Sequence, residues 1–196
     1  MANIKPNGIP KMNREELIAL INKHYPNYFK DHWAEDKFAH VWIRGYYKKS
    51  MGDPTKNDRA IYDDAAFIIT DTNFHAFNAN TDPSKHKPGI ASLVPGVYRG
   101  VYKFDMHNGS KGSYPAVCQR LGPVVVIRDG KKVNDHPKMI GINQHRGGFR
   151  TTSSLGCLTT PPDQYDRWYL TGKRLFTEIH DKEWDKSSPT MILIEL

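Results

Sequence analysis

Short apolar runs separated by turn-forming residues fill most of this 196-residue chain and constrain its fold more than any other feature. The runs are rich in β-branched or aromatic residues and are bounded by Gly, Pro, Asn and Asp, as in β-strands joined by tight turns. The Asp129–Gly130 pair is typical of a hairpin, because Gly tolerates the positive φ required there. The clearest runs are AAFIIT at 65–70, VYRGVYKF at 97–104 and PVVVIRDG at 123–130. The chain between 41 and 142 is therefore predicted to form a β domain.

Helix signals come first near the N-terminus. Asn13 and Glu16 have the spacing of a capping box, in which each side chain accepts a backbone N–H of the other, so a helix is expected to begin there. A second short helix is expected over about 31–39, with Trp33 and Phe38 as its buried positions.

The next helix signals lie just after residue 160. Thr160 is the expected N-cap, Pro161 suits the first helical position, and Gly172 is the expected end of the helix. The final apolar run, MILIEL at 191–196, indicates a buried strand. The predicted fold class is thus mainly β, of the α+β type.

These elements divide the chain into three parts. Residues 1–12 hold two Pro and one Gly and are expected to be a flexible N-terminus. Residues 13–59 are expected to be a helical extension packed on the core, and residues 60–196 the main domain. One domain with a modest helical addition fits a chain of this length.

Net charge and hydropathy limit the classes of partner that the chain is expected to bind. The formal net charge of +7 favours an anionic partner, yet the basic residues are spread along the chain and form no nucleic-acid recognition motif. No apolar run approaches the about 18–20 residues that a membrane span needs, and the chain starts without the pattern of a signal peptide. The expectation is a monomer, synthesised in the cytoplasm, that binds no nucleic acid and does not insert stably into membranes.

Metal and cofactor patterns are weak in this sequence. The nine His residues form neither His-x₃-His nor His-Glu-x-x-His, and the polar clusters at 57–64 and 78–82 lack the spacing of an EF-hand loop. Two cysteines, Cys118 and Cys157, give no disulfide framework. No metal and no other cofactor is expected, and a zinc peptidase is not favoured.

The segment 142–162, INQHRGGFRTTSSLGCLTTPP, carries the chemistry. It places His145 twelve residues before Cys157, and a neighbouring imidazole can take the proton of a thiol whose ordinary pKa is about 8.5. Gly156 leaves the backbone beside the sulfur open, so that amide N–H groups there could stabilise an oxyanion. Ser154 is expected to shape the turn. Cys118, in PAVCQRL, is expected in a core strand.

The string His145…Ser154-Leu155-Gly156-Cys157 resembles the His…Ser-x-Gly-Cys motif of the L,D-transpeptidase catalytic domain. The PGVY segment at 95–98 and the order of strands, helix and final strand are also similar to that family over about 60–196. The resemblance implies an antiparallel β-sandwich with Cys157 as nucleophile, His145 as base and peptidoglycan stem peptides as substrate.

Two departures from the family pattern point to a specialised branch. Cys157 is followed by Leu158 and Thr159 where the family usually has a hydrophobic residue and then Arg, and the His-to-Cys interval is short. Arg146 or Arg150 is a candidate replacement for that Arg in binding the substrate carboxylate. A substrate groove is further expected to be lined by basic and polar side chains from outside the motif, namely Arg44, Tyr46, Arg59 and Asn80.

The leading hypothesis is a peptidoglycan-degrading cysteine peptidase, similar to bacteriophage endolysins, that reaches the cell wall after release from the cytoplasm. Three alternatives stay open: a transpeptidase that forms 3,3 cross-links, a secreted antibacterial effector of the same fold, and a wall-binding module without turnover. The intact pair of His145 and Cys157 argues against the last, since a pure binder has no need of it.

Overall fold

The computed structural model describes residues 4–55, 58–109 and 112–196. Residues 1–3 of the expected flexible terminus and position 57 of the first polar cluster lie outside them. The described chain is 32% strand and 22% helix and is therefore mainly β, as predicted. The helices are α1 (Arg14–His24), α2 (Tyr28–Asp31), α3 (Trp33–Asp36) and α4 (Pro162–His180). The strands are β1 (Phe38–Arg44), β2 (Asp64–Thr70), β3 (Phe74–Ala79), β4 (Ala91–Leu93), β5 (Gly96–Tyr98), β6 (Tyr102–Gly109), β7 (Gly112–Gln119), β8 (Val126–Arg128), β9 (Gln144–Arg146), β10 (Leu158–Thr160) and β11 (Thr190–Glu195).

A five-stranded sheet in the order β3-β2-β1-β11-β5 forms the centre of the molecule. β1 pairs antiparallel with β2 and parallel with β11, so the sheet is mixed where an antiparallel one was expected. β1 belongs to the segment 13–59, which was expected to be a helical extension. That segment instead supplies a central strand, and no boundary at residue 60 separates it from the sheet.

Every residue of β1 and β2 is buried, on both faces of the sheet, which explains why most of their residues are apolar. On one face Val41 and Ile43 of β1 share a core with Leu17 and Ile21 of α1. On the other face, alternate residues such as Trp42 pack against α4 and the second sheet.

The second sheet has the order β10-β9-β7-β6 and lies over the same core as α4. β9 and β10 are parallel neighbours, and β6 and β7 form a long antiparallel hairpin. The two sheets join where Asn80 and Thr159 exchange backbone hydrogen bonds of 2.8 Å in each direction. A short pair, β4 and β8, lies apart from both sheets.

Local sequence signals predicted the start of α1 correctly but both ends of α4 wrongly. The capping box of Asn13 and Glu16 is present, with bonds of 2.9 and 2.8 Å. The expected ends of α4 were wrong: Thr160 is the last residue of β10, and the helix runs through Gly172 to His180. A Cβ at Gly172 would lie 2.8 Å from His40 Nε2, so this Gly allows close packing of α4 on β1.

The expected helix over 31–39 was also wrong. Lys37, with a left-handed φ of 48°, ends α3, and Phe38 already begins β1 as a fully buried strand residue. The segment 4–12 is held against the domain: Tyr62 N–H donates to Ile4 O, and Asn78 Nδ2 donates to Gly8 O at 2.6 Å each. Where it is described, the N-terminus is thus tied to the fold.

Candidate active site

Cys157 and His145 are brought together by neighbouring parallel strands. β10 begins one residue after Cys157, and its Thr159 lies level with His145 of β9. Leu158 N–H donates to Asn143 O at 2.9 Å, which places Cys157 level with Asn143. Because side chains of a strand alternate between faces, Asn143 and His145 share one face with Cys157 beside them.

These side chains open into a surface cavity of about 930 Å³. Its lining includes the predicted nucleophile and base, both predicted arginines and two aromatic side chains of the β6–β7 hairpin: Cys157, His145, Arg146, Arg150, His107 and Tyr114. The structure thus brings together the part of the predicted site that lies in the segment 142–162.

The sulfur of Cys157 lies between two backbone groups. Asn143 N–H points at Sγ over 3.4 Å, and the thiol is 3.4 Å from Gly141 O, to which it can donate. Burial raises the pKa of the Cys157 thiol to about 11, and the Asn143 N–H opposes that rise. The thiol is therefore protonated at neutral pH, and a base must remove its proton when it reacts.

His145 has the tautomer that such a base needs. Its Nδ1 lies 2.8 Å from Arg146 O and 3.1 Å from Tyr114 Oη. The hydroxyl can accept or donate but the carbonyl oxygen can only accept, so we infer that Nδ1 carries the proton and donates it to the nearer Arg146 O. The lone pair is consequently on Nε2. Burial lowers the pKa of His145 to about 4, with His107 adding to the fall and the Arg146 carbonyl opposing it. The imidazole is neutral at pH 7 and can accept a proton.

The turn before Cys157 depends on Ser154 and Gly156. Ser154 Oγ donates to Cys157 O at 2.6 Å and accepts from Gly156 N–H at 3.0 Å, which is the local role expected for it. Gly156 has φ +131°, and a Cβ there would come within 2.4 Å of Ala91 O. Only Gly fits at this position.

Arg146 and Arg150 give the cavity a positive wall. The Arg146 guanidinium lies over the ring of Tyr114, 5.1 Å from its centroid. Phe149, between the two arginines in the chain, has 81% of its surface exposed. The cavity can therefore offer both charge and apolar surface to a ligand.

The other predicted groove residues lie elsewhere, because each has a structural partner. Arg44 is buried and donates to Thr81 Oγ1 and to Leu93 O at 3.0 Å each. Asn80 is fully buried and donates to Asp82 O at 2.6 Å. Neither side chain lines the cavity, so the expected groove role was wrong for both.

Tyr46 and Arg59 are likewise used in the fold. Tyr46 Oη accepts the N–H of Met12 at 3.0 Å and fastens the N-terminal segment. Arg59 makes a two-pronged ion pair with Asp129, with both N···O distances at 2.7 Å. Cys118 is a fully buried β7 residue, as predicted.

Sequence reasoning missed three residues of the site: Asn143, His107 and Tyr114. Asn143 could have been found from the two-residue period of a strand, since it precedes His145 by two. His107 and Tyr114 face each other across the β6–β7 hairpin, and only tertiary pairing of β7 with β9 brings them to the cavity.

Comparison with known proteins adds no assignment: no family model matches the chain, and no curated protein sequence does. Within residues 4–55, 58–109 and 112–196, no three His, Cys, Asp or Glu side chains are placed to hold a metal ion. Over the same residues, no helix has the length and apolar character needed to cross a membrane.

Proposed function

We propose that this chain is a peptidoglycan-degrading cysteine peptidase of the L,D-transpeptidase type. One observation carries the proposal: Cys157, one residue before β10, and His145 of the neighbouring strand β9 line the same cavity, and His145 Nδ1 lies against the Arg146 carbonyl, which leaves Nε2 as the acceptor. A thiol and a neutral imidazole of this tautomer are the parts that acyl transfer needs.

The proposed reaction begins with attack of Cys157 Sγ on the carbonyl carbon of a stem-peptide bond, as the thiol proton passes to His145 Nε2. The imidazolium then gives this proton to the leaving amine, the C–N bond breaks, and a thioester remains. His145 next takes a proton from water, whose oxygen attacks the thioester. Breaking of the C–S bond returns the proton to sulfur and releases a carboxylic acid.

Electrostatics support a substrate that carries carboxylates, as stem peptides do. Arg146 and Arg150 line the cavity, and the whole chain has a net charge of +7. Guanidinium groups bind carboxylates through paired hydrogen bonds. For the oxyanion we expect the N–H of Cys157 to act as donor, since that of Gly156 donates to Ser154 Oγ.

Hydrolysis is favoured over cross-linking by the position after Leu158. The resembling family usually has an arginine there, and in this chain Thr159 is fully buried and paired with Asn80. The open cavity also admits water. Two sheets over one core, with a helix directly after the Cys157 strand, are in keeping with the sandwich of that family, and we propose this fold relationship together with the function.

Digestion of purified sacculi by wild type, Cys157→Ala and Cys118→Ala tests the proposal, because both variants remove one thiol and only one thiol lines the cavity. We expect soluble muropeptides from wild type and Cys118→Ala and none from Cys157→Ala, by mass spectrometry. New 3,3-cross-linked dimers would indicate a transpeptidase instead. Protein that pellets with the sacculi but leaves them unchanged would indicate a binding module.

A further inference from the structure

A second imidazole lies flat against the proposed base. The rings of His107 and His145 are 4.6 Å apart between centroids and 7° from parallel. His107 comes from β6 and lines the cavity, yet the acyl-transfer steps above do not use it. Its contacts show how it acts on His145 and Cys157, the two residues that carry out those steps.

Asn143 fixes the tautomer of His107. Gln119 N–H donates to Asn143 Oδ1 at 2.9 Å, so the other end of that amide, Nδ2, is the end that faces His107. Nδ2 lies 3.0 Å from His107 Nδ1 and can only donate. His107 Nδ1 is therefore an acceptor, and the proton of the neutral ring is on Nε2.

Protonation of His107 would disturb the site in two ways. A proton on His107 Nδ1 would face the side-chain Nδ2–H of Asn143 and repel it. The backbone N–H of the same Asn143 contacts Cys157 Sγ at 3.4 Å, so a shift of Asn143 would reach the sulfur. A positive ring would also lie directly against His145, which must itself become positive when it takes the thiol proton. Both effects oppose the reaction, and both are absent when His107 is neutral.

We propose that His107 is a positioning residue that, while neutral, holds Asn143 beside Cys157 and packs on His145, and whose protonation switches the site off. This inference rests on the proposed acyl-transfer function and deepens it by naming a regulator of the same site. Burial, followed by the charge of Arg120, lowers the pKa of His107 below its ordinary value. The site is thus switched on at neutral pH.

The groups around His107 come from several elements. Tyr114 faces it from β7, with ring centroids 5.3 Å apart, and the Arg146 guanidinium of β9 lies over that Tyr114 ring. The titratable and charged groups to be considered with it are Tyr114, Arg120, His145, Arg146 and Cys157. Burial also lowers the pKa of His145, to about 4, so both rings are neutral at pH 7.

Nuclear magnetic resonance tests the inference without a substrate. We expect ¹⁵N spectra to show the neutral His107 protonated on Nε2 and His145 on Nδ1. On acidification, the side-chain and backbone N–H signals of Asn143 should shift with the pH midpoint of His107. The Asn143 shifts should vanish in His107→Gln and persist in the control His136→Gln, which changes an exposed histidine. Asn143 signals whose chemical shifts do not change as His107 titrates would overturn the inference.

Kinetics supply the second readout, with kcat/KM measured on muropeptides across pH. In wild type the acid limb should steepen to a two-proton slope, whereas in His107→Gln a one-proton limb from His145 should remain. At pH 8, His107→Gln retains an acceptor for Asn143 and should stay within about threefold of wild-type kcat, while His107→Phe should lose about tenfold.

The proposed function and the proposed role of His107 can be overturned independently of each other. Cys157-dependent turnover with the same acid limb in wild type and His107→Gln would overturn the role of His107 and leave the proposed function standing. Turnover that survives in Cys157→Ala would overturn the proposed function, and the Asn143 signals would then decide the role of His107 alone.

Discussion

The raised pKa of the Cys157 thiol predicts how slowly this thiol is alkylated at neutral pH. With a thiol pKa of about 11, only about one molecule in ten thousand carries a thiolate at pH 7. An unperturbed cysteine has a pKa of about 8.5–9 and is about 1–3% thiolate at that pH. Cys157 should therefore be alkylated about 100- to 300-fold more slowly than a free cysteine, with the rate rising about tenfold per pH unit up to pH 11.

Iodoacetamide kinetics measure this directly in the Cys118→Ala protein, where the remaining thiol is Cys157. His145→Ala should change the alkylation rate little, because the neutral imidazole does not hold a thiolate in the resting site, while turnover should be lost. The same protein unfolded in guanidinium chloride provides the free-thiol rate. A fast rate that is constant from pH 5 to 9 would indicate a preformed thiolate–imidazolium pair and refute the neutral pair.

Three further predictions concern single side chains. Gly156→Ala places a Cβ within 2.4 Å of Ala91 O at φ +131°, so we expect about 2 kcal/mol of lost stability in chemical denaturation and loss of turnover. Arg59→Ala should lower stability by about 1–2 kcal/mol without changing kcat. Arg59 holds the pKa of Asp129 at about 2, below the ordinary 3.8, so this contribution is full above pH 3.8 and fades as pH falls towards 2, which denaturation curves at pH 7 and 2 can check. Arg146→Ala should raise KM for carboxylate-bearing peptides several-fold at unchanged melting temperature, and an unchanged KM would remove Arg146 from substrate binding.

The fold was predictable from sequence where the signals are local. The capping box of Asn13 and the apolar runs of β2 and β11 each report their own structure, and all three elements are present. The helix expected over 31–39 failed because Phe38 is placed by pairing of β1 with β2, which local propensity does not contain. Gly172 failed for a similar reason: its small size serves contact with His40 and not the end of a helix.

The candidate site was likewise predictable only where the signal lies within one segment of the chain. A motif within one segment placed Cys157 and His145 on one cavity, because the loop 147–157 returns the chain to pair β10 parallel with β9. Arg44 donates to the buried Thr81, 37 positions away, and His107 contacts Asn143, 36 positions away. Neither contact leaves a trace in the sequence around the residue itself.

Trapping of the acyl-enzyme tests the central claim most directly. Wild type and Cys118→Ala are mixed with a stem peptide, quenched in acid within milliseconds to seconds, and analysed by intact and peptide mass spectrometry. The account predicts a thioester adduct that maps to Cys157 in both proteins and is absent from Cys157→Ala. An adduct on another residue, or product release by Cys157→Ala at the wild-type rate, would contradict it.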